Sequence, residues 1–242
     1  MAQAFETDAG FGDAIGLVVL STDETMEPEL ASVFSPSHVP IYHSRIRFEE
    51  EVTPETLGSM EEDLPGSVGL LSNNVNFGAI GYGCTSGATV IGPDRIAALI
   101  NSVHPDVSVT NPISAVIAAL HALGAKKIGF ITPYVADVSA MIRSLLEKNG
   151  FEIVEFLSFE EIRDSVVARI SEASTLNAIK ELGESDCDVV FLSCTNLRAF
   201  GIIEEAEAAI GRPVISSNSA LAWHLARLVG KDVSGPGRLF SV

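Results

Sequence analysis

The chain has 242 residues, is 47% hydrophobic and only 7% aromatic, and carries a formal net charge of −17 at pH 7. That length can bury a large core in one domain or two small ones, and the acidic balance argues against nucleic acid or an anionic membrane as a partner. No apolar run reaches the length of a membrane span and the acidic opening segment lacks a signal-peptide core, so a cytoplasmic protein is expected.

Short β-type runs alternate with longer amphipathic stretches, the pattern of mainly parallel sheets with crossover helices. In chain order, the periodicity predicts a strand over 15–20, then a helix over 53–64 with Thr53 as its cap and Pro54 at its first position. A strand over 77–83 follows, with a helix over 94–103, a short strand over 107–110, and a helix over 114–123 stopped by Gly124.

The series then restarts. A strand is predicted over 127–132, a helix over 135–149 ending at Gly150, and a strand over 151–157. Helical patterns follow over 165–171 and 174–183. The last elements are a strand over 189–193, a helix over 198–210 ended by Gly211, a strand over 214–216 and a helix over 219–229.

The two halves overlay. Ile15-Gly16-Leu17-Val18 matches Ile128-Gly129-Phe130-Ile131, Cys84-Thr85 matches Cys194-Thr195, and Ser114-Ala115 matches Ser219-Ala220. An internal duplication of this kind implies two similar α/β lobes related by a pseudo-twofold. The expected boundaries are residues 14–112 plus 219–242 for the first lobe and 113–218 for the second. The C-terminal helix then crosses back, and residues 1–13 form a flexible N-terminus.

Both Cys-Thr pairs stand where an apolar strand ends, which in open α/β sheets is where ligands bind. A lone cysteine there is usually a small buried apolar residue. Two at equivalent positions of a duplicated fold instead place a thiol on each side of one cleft. Each precedes a small polar turn leading toward a helix, Thr85-Ser86-Gly87 and Thr195-Asn196, whose backbone N–H groups can hold a carboxylate or an enolate oxygen. The same donors favour thiolate over thiol. Cys187 has no such counterpart and completes an odd set of three cysteines, all expected as free thiols in a reducing compartment.

Other chemistries lack their signatures. Cys187 and Cys194 do not have a zinc-ligand spacing. Gly78-Ala79-Ile80-Gly81-Tyr82-Gly83 lies within a strand, so it is no dinucleotide fingerprint, and there is no P-loop. His224, on a helix near the second cysteine, is left open between a structural and a functional role.

These residues resemble the aspartate/glutamate racemase superfamily, in its maleate cis–trans isomerase and arylmalonate decarboxylase branch. The resemblance runs from about residue 15 to 230 and rests on Cys84-Thr85-Ser86-Gly87, Thr110-Asn111-Pro112, Thr132-Pro133-Tyr134, Ser193-Cys194-Thr195-Asn196 and Pro213-Val214-Ile215-Ser216-Ser217-Asn218 through Trp223-His224. It implies two α/β lobes, no cofactor, and a small carboxylate substrate held between two catalytic thiols, Cys84 and Cys194. It further implies that Tyr134 donates its hydroxyl to a substrate carboxylate, and that Thr85, Ser86, Thr195 and Asn196 line the carboxylate pocket. Decarboxylase members keep only the second cysteine.

One departure is informative. Maleate isomerases of this branch resemble one another in an asparagine after the first strand that contacts a substrate carboxylate. Here Asp23 takes its place, and Asp164 falls near a second family asparagine. Carboxylates facing a dicarboxylate would repel it, which points to a substrate with an amine, amidine or hydroxyl group instead, as in ectoine-utilisation racemase-like members. The expectation is therefore a racemase or epimerase acting α to a carboxylate of a small amino- or hydroxy-acid-like compound, in ectoine or hydroxyectoine breakdown, and assembling as a homodimer or homotetramer. The alternative is a maleate-type cis–trans isomerase with a nucleophilic cysteine, and a further one is a non-catalytic module that binds small carboxylates.

Overall fold

The computed structural model describes residues 3–7 and 13–242. The expectation of a flexible segment over 1–13 therefore falls largely outside the described residues.

The first lobe is built on strands β1 (Ala14–Leu20), β2 (Ile41–Ile46), β3 (Phe77–Gly83) and β4 (Ser108–Thr110), in the order β2-β1-β3-β4 and parallel throughout. The second is built on β5 (Lys127–Thr132), β6 (Glu152–Ser158), β7 (Val189–Leu192) and β8 (Val214–Ser216), in the order β6-β5-β7-β8, again parallel. The two orders are the same, as a duplicated unit requires. β1, Ala-Ile-Gly-Leu-Val-Val-Leu, is buried at every position, the mark of a central strand covered on both faces.

Helices cover the sheets. In the first lobe they are α1 (Met26–Phe34), α2 (Pro54–Val68), α3 (Thr85–Ile91), α4 (Pro93–Asn101) and α5 (Pro112–Ala122). In the second half they are α6 (Ala136–Lys148), α7 (Asp164–Val167), α8 (Glu172–Leu182), α9 (Ile203–Ile210) and α10 (Ser217–Leu228). α2 starts where expected: Thr53 and Thr56 form a reciprocal capping box ahead of Pro54. α9 stops at Gly211, whose φ of 74° closes the helix in the left-handed region. α10 packs on α5 and also against α1, β3 and β4 of the first sheet.

Four stretches differ from the sequence pattern. Residues 85–91, read as a turn leading toward a helix, are themselves helix α3, which starts directly on Cys84. Residues 21–52 carry α1 and β2, which the periodicity does not announce. β2 is an edge strand with the polar triplet His43-Ser44-Arg45, so its alternation is weak. The helix expected over 165–171 is only Asp164–Val167, because Ser171 already caps α8 through the Ser174 N–H. The helix expected over 198–210 opens with a 3₁₀ turn, Phe200–Ile202, and becomes α-helical at Ile203. Its approach is tied down from the other lobe, since Glu29 Oε1 accepts the N–H groups of Ala199 and Phe200 at 3.0 and 3.1 Å.

Register carries the candidate residues to one place. In the first sheet Val19 pairs with Gly83, setting the loop after β1 beside Cys84. In the second, Ile131 pairs with Leu192, setting Pro133 and Tyr134 beside Ser193 and Cys194. In each lobe this is the crevice at the carboxyl ends of two adjacent central strands whose connections leave in opposite directions, the switch point at which such sheets bind ligands.

Candidate active site

Cys84 is the N-cap residue of α3. Its backbone is extended and its Sγ accepts the Gly87 N–H at 3.2 Å, with the Ser86 hydroxyl at 3.6 Å. A Cβ on Gly87 would lie 2.6 Å from Tyr82 Oη and 3.1 Å from Cys84 Sγ, so only glycine lets this turn close on the thiol. Burial pushes the Cys84 thiol up to about 12; the Gly87 N–H and the Ser86 hydroxyl work against that rise, while Asp164 and Asp23 add to it.

Cys194 is held differently. It has a φ of 109°, a region that residues with a Cβ rarely adopt and that persists only where the surroundings over-determine it. Here the Cys194 N–H donates to Ser217 Oγ at 3.1 Å, and Cys194 Sγ accepts the Asn196 N–H at 3.4 Å. The turn after Cys194 does not run directly into a helix as expected, so the second thiol sits in a strained loop and the first at a helix start. Burial and then Asp164 raise the Cys194 thiol well above its ordinary value, against the Tyr134 hydroxyl and the Asn196 N–H.

The remaining expected residues converge on the same place. Tyr134 is buried near both Cys194 and Ser86, one from each lobe, close enough for each to act on its hydroxyl. Thr85 Oγ1 donates to Ser217 Oγ at 2.7 Å, and Thr195 Oγ1 reaches the Gly83 carbonyl across the lobe boundary at 3.4 Å. Asn196 clamps three segments: its Oδ1 accepts the Glu24 N–H, and its Nδ2 donates to Asp164 Oδ2 and to the carbonyls of Asp164 and Thr22.

Asp23 is both a turn residue and a site residue. Its Oδ1 accepts the N–H groups of Thr25 and Met26, each at 2.8 Å, which starts α1. Its Oδ2 is buried without a hydrogen-bond partner. Burial raises its carboxyl to about 6; those N–H groups and the nearby Thr195 hydroxyl oppose the rise and Asp164 adds to it. Asp164, also buried, accepts Thr22 Oγ1 at 2.6 Å, and burial raises its carboxyl too.

His224 is not brought in: its Nδ1 pairs with Thr110 Oγ1 at 2.8 Å. Cys187 is buried under Arg212 Nη1, at 3.6 Å.

Two residues outside the expected set belong to the site's frame. Ser217, at the start of α10, joins Thr85 of one motif to Cys194 of the other. The polar run Ser216-Ser217-Asn218-Ser219 directly after an apolar strand is the sequence signal that marks it. Glu29 of α1 straps the Cys194 loop: besides the two N–H groups above, its Oε2 accepts Asn218 Nδ2 at 2.7 Å, and that same amide donates to the Thr195 carbonyl. No sequence spacing announces this.

Burial raises the Glu29 carboxyl to about 7, against its hydrogen bonds to Ala199, Asn218 and Phe200. An acid whose folded value lies above its unfolded one favours folding at low pH and loses that contribution as pH rises through the folded value. Thermal stability should therefore fall between about pH 5 and pH 8, and Glu29→Gln should flatten the decline. Melting temperatures across that range for the two proteins check this.

A model of the family described as arylmalonate decarboxylase matches residues 92–240. Maleate isomerase of Nocardia farcinica is 27% identical over 233 residues, covering 92% of each chain. Arylmalonate decarboxylase of Bordetella bronchiseptica is 31% identical over 136 residues, 54% of this chain and 57% of its own. A solved structure of the Nocardia farcinica maleate cis–trans isomerase, a cysteine-to-serine variant with a covalently bound succinylcysteine intermediate, has a TM-score of 0.86 at 25% identity, covering 94% of this chain and 98% of that one.

Proposed function

We propose, for a chain that belongs to the arylmalonate decarboxylase family, a cofactor-independent isomerase that interconverts cis and trans forms of a small substrate whose carbon–carbon double bond is conjugated to a carboxylate. The observation that carries this reading is the convergence of Cys84 and Cys194, one from each sheet, with the Tyr134 hydroxyl beside Cys194 and Ser86.

Cys84 is the adding group. Its Sγ accepts the Gly87 N–H at the first turn of α3, which offsets part of the burial that disfavours its thiolate. The thiolate bonds to one alkene carbon, and the π electrons move toward the carboxylate as an enediolate. Cys194 delivers its proton to the other carbon. The former double bond is now single and rotates; Cys194 thiolate then takes a proton back and the C–S bond breaks. Tyr134, Ser86 and the donors after each cysteine hold the carboxylate through the charge change.

The maleate isomerase among the relatives and the succinylcysteine of the similar structure support this order over the racemase expectation. Racemisation α to a carboxylate, including of an amino or hydroxy acid from ectoine breakdown, is the second reading; thiols supplied by opposite lobes favour it. Proton NMR in D₂O separates the two. Cis-unsaturated carboxylates should convert to their trans forms. Deuterium appearing at a saturated, chiral α-carbon with no alkene turnover would replace the first reading by the second.

A further inference from the structure

The site contains two buried carboxyl groups from opposite lobes, Asp23 after β1 and Asp164 at α7. Asn196 links their surroundings, bonding Asp164 Oδ2 on one side and the Glu24 N–H on the other. Asp164 has neutral donors only, Thr22 and Asn196, on Oδ2. Asp23 keeps one oxygen with no partner at all, although the residue is only 2% exposed. Its cap function explains Oδ1 and leaves Oδ2 unexplained.

Two buried carboxyl groups that share only neutral donors, one of them with an oxygen left without a partner, are unfavourable as anions unless a counter-charge satisfies them. No side-chain cation of the protein does so among the described residues. The arginines that reach this region are exposed and otherwise engaged: Arg45 pairs with Glu27 and donates to backbone carbonyls, including that of Asp23, and Arg169 pairs with Glu24. Near the thiols the lining is neutral and hydroxyl-bearing, with Ser86 beside Cys84 and Tyr134 near Cys194, and these hydroxyls suit a carboxylate.

We infer that the substrate is a zwitterion, a small carboxylate whose far end carries an ammonium or amidinium group held between Asp23 and Asp164. The inference rests on the reading above only for the location of the site. It deepens that reading by excluding a simple dicarboxylate: a second anion would face two carboxylates with no cation to offset them. A bound cation also cancels the negative field that both aspartates exert on Cys84 and Cys194, so arrival of the substrate eases ionisation of the thiol that attacks it.

Two saturated four-carbon probes test this without any reaction, so the result stands whether or not double-bond isomerisation is found. They are 4-aminobutanoate and succinate, which share one carboxylate and differ in the far group. In calorimetric titrations near neutral pH, 4-aminobutanoate should bind the native protein at least about tenfold more tightly than succinate, as one ion pair gained and one repulsion removed would give. Asp23→Asn keeps an oxygen to cap α1, and Asp164→Asn keeps an acceptor for Thr22. Each variant should lose most of that preference, and the double variant should reverse it. Folding of each is checked by circular dichroism; if Asp23→Asn does not fold, Asp164→Asn decides alone. Equal or tighter binding of succinate to the native protein, no binding of 4-aminobutanoate, or a preference unchanged in the variants overturns the inference.

Discussion

In Cys194→Ser, Cys84 should still add to substrate and water should slowly protonate the second carbon, but no thiolate is left to take that proton back, so a substrate-mass adduct should accumulate on Cys84. Serine is close in size to cysteine, and the Ser217 and Asn196 contacts that hold this loop go to its backbone as well as to its sulfur, so the fold should survive. What is lost is the proton donor, a contribution of about 10²–10⁴-fold in rate. Cys84→Ser should fail earlier, with turnover lower by about 10³-fold or more and no adduct, because a serine hydroxyl at this turn is a far weaker nucleophile. Cys187→Ser should leave turnover unchanged, since that thiol is buried beneath Arg212, away from the site. Steady-state rates and intact-protein mass spectra, followed by peptide mapping, read all three. An adduct on Cys187, or loss of activity in Cys187→Ser alone, would overturn the two-thiol mechanism.

The pairing of Cys84 with Cys194 was legible in the sequence because its determinants are local, although the sequence pointed first to racemisation and only second to cis–trans addition. An apolar strand followed by Cys-Thr is a contiguous phrase, and its repetition at a matching place in the second half marks the pair without any knowledge of the third dimension. The parallel sheets were legible for the same reason: β1, β3 and β5 are unbroken apolar runs bounded by polar turns. What pattern could not supply was anything made by two distant segments. Glu29 matters because α1 of one lobe reaches the chain at Ala199 and Phe200 in the other. Ser217 matters because α10 begins between the two cysteine motifs. The strained backbone of Cys194 is likewise tied to Ser217, which accepts its N–H from across the chain. Asp23 shows the limit most clearly: a capping aspartate and a ligand-facing aspartate have the same sequence signature, and only the structure shows that one oxygen caps α1 while the other is buried without a partner.

Asn196→Ala should be the most damaging substitution outside the cysteines. The side chain is nearly inaccessible and holds four groups together: the Glu24 N–H, the Thr22 carbonyl, and both the carbonyl and carboxylate of Asp164. These belong to the loop after β1, in the first lobe, and to α7, in the second, so one amide joins both lobes beside Cys194. Removing it leaves the part-buried Glu24 N–H and the buried Asp164 carboxylate each short of a partner, which costs about 2 kcal/mol, most of it at the carboxylate. The loop carrying Cys194 loses part of its support at the same time, and turnover should drop by about 10²-fold, as misplacement of a reacting group by an ångström does. Arg169→Ala is the matched control. It breaks another cross-lobe contact of the loop after β1, the ion pair with Glu24, but both partners are exposed and the expected loss is below about 1 kcal/mol. Urea unfolding and kcat for the two variants make the comparison. If Arg169→Ala proved as harmful as Asn196→Ala, surface pairing and not the buried amide would hold the lobes in register; if Asn196→Ala destabilised the protein yet kept its kcat, the clamp would serve folding alone.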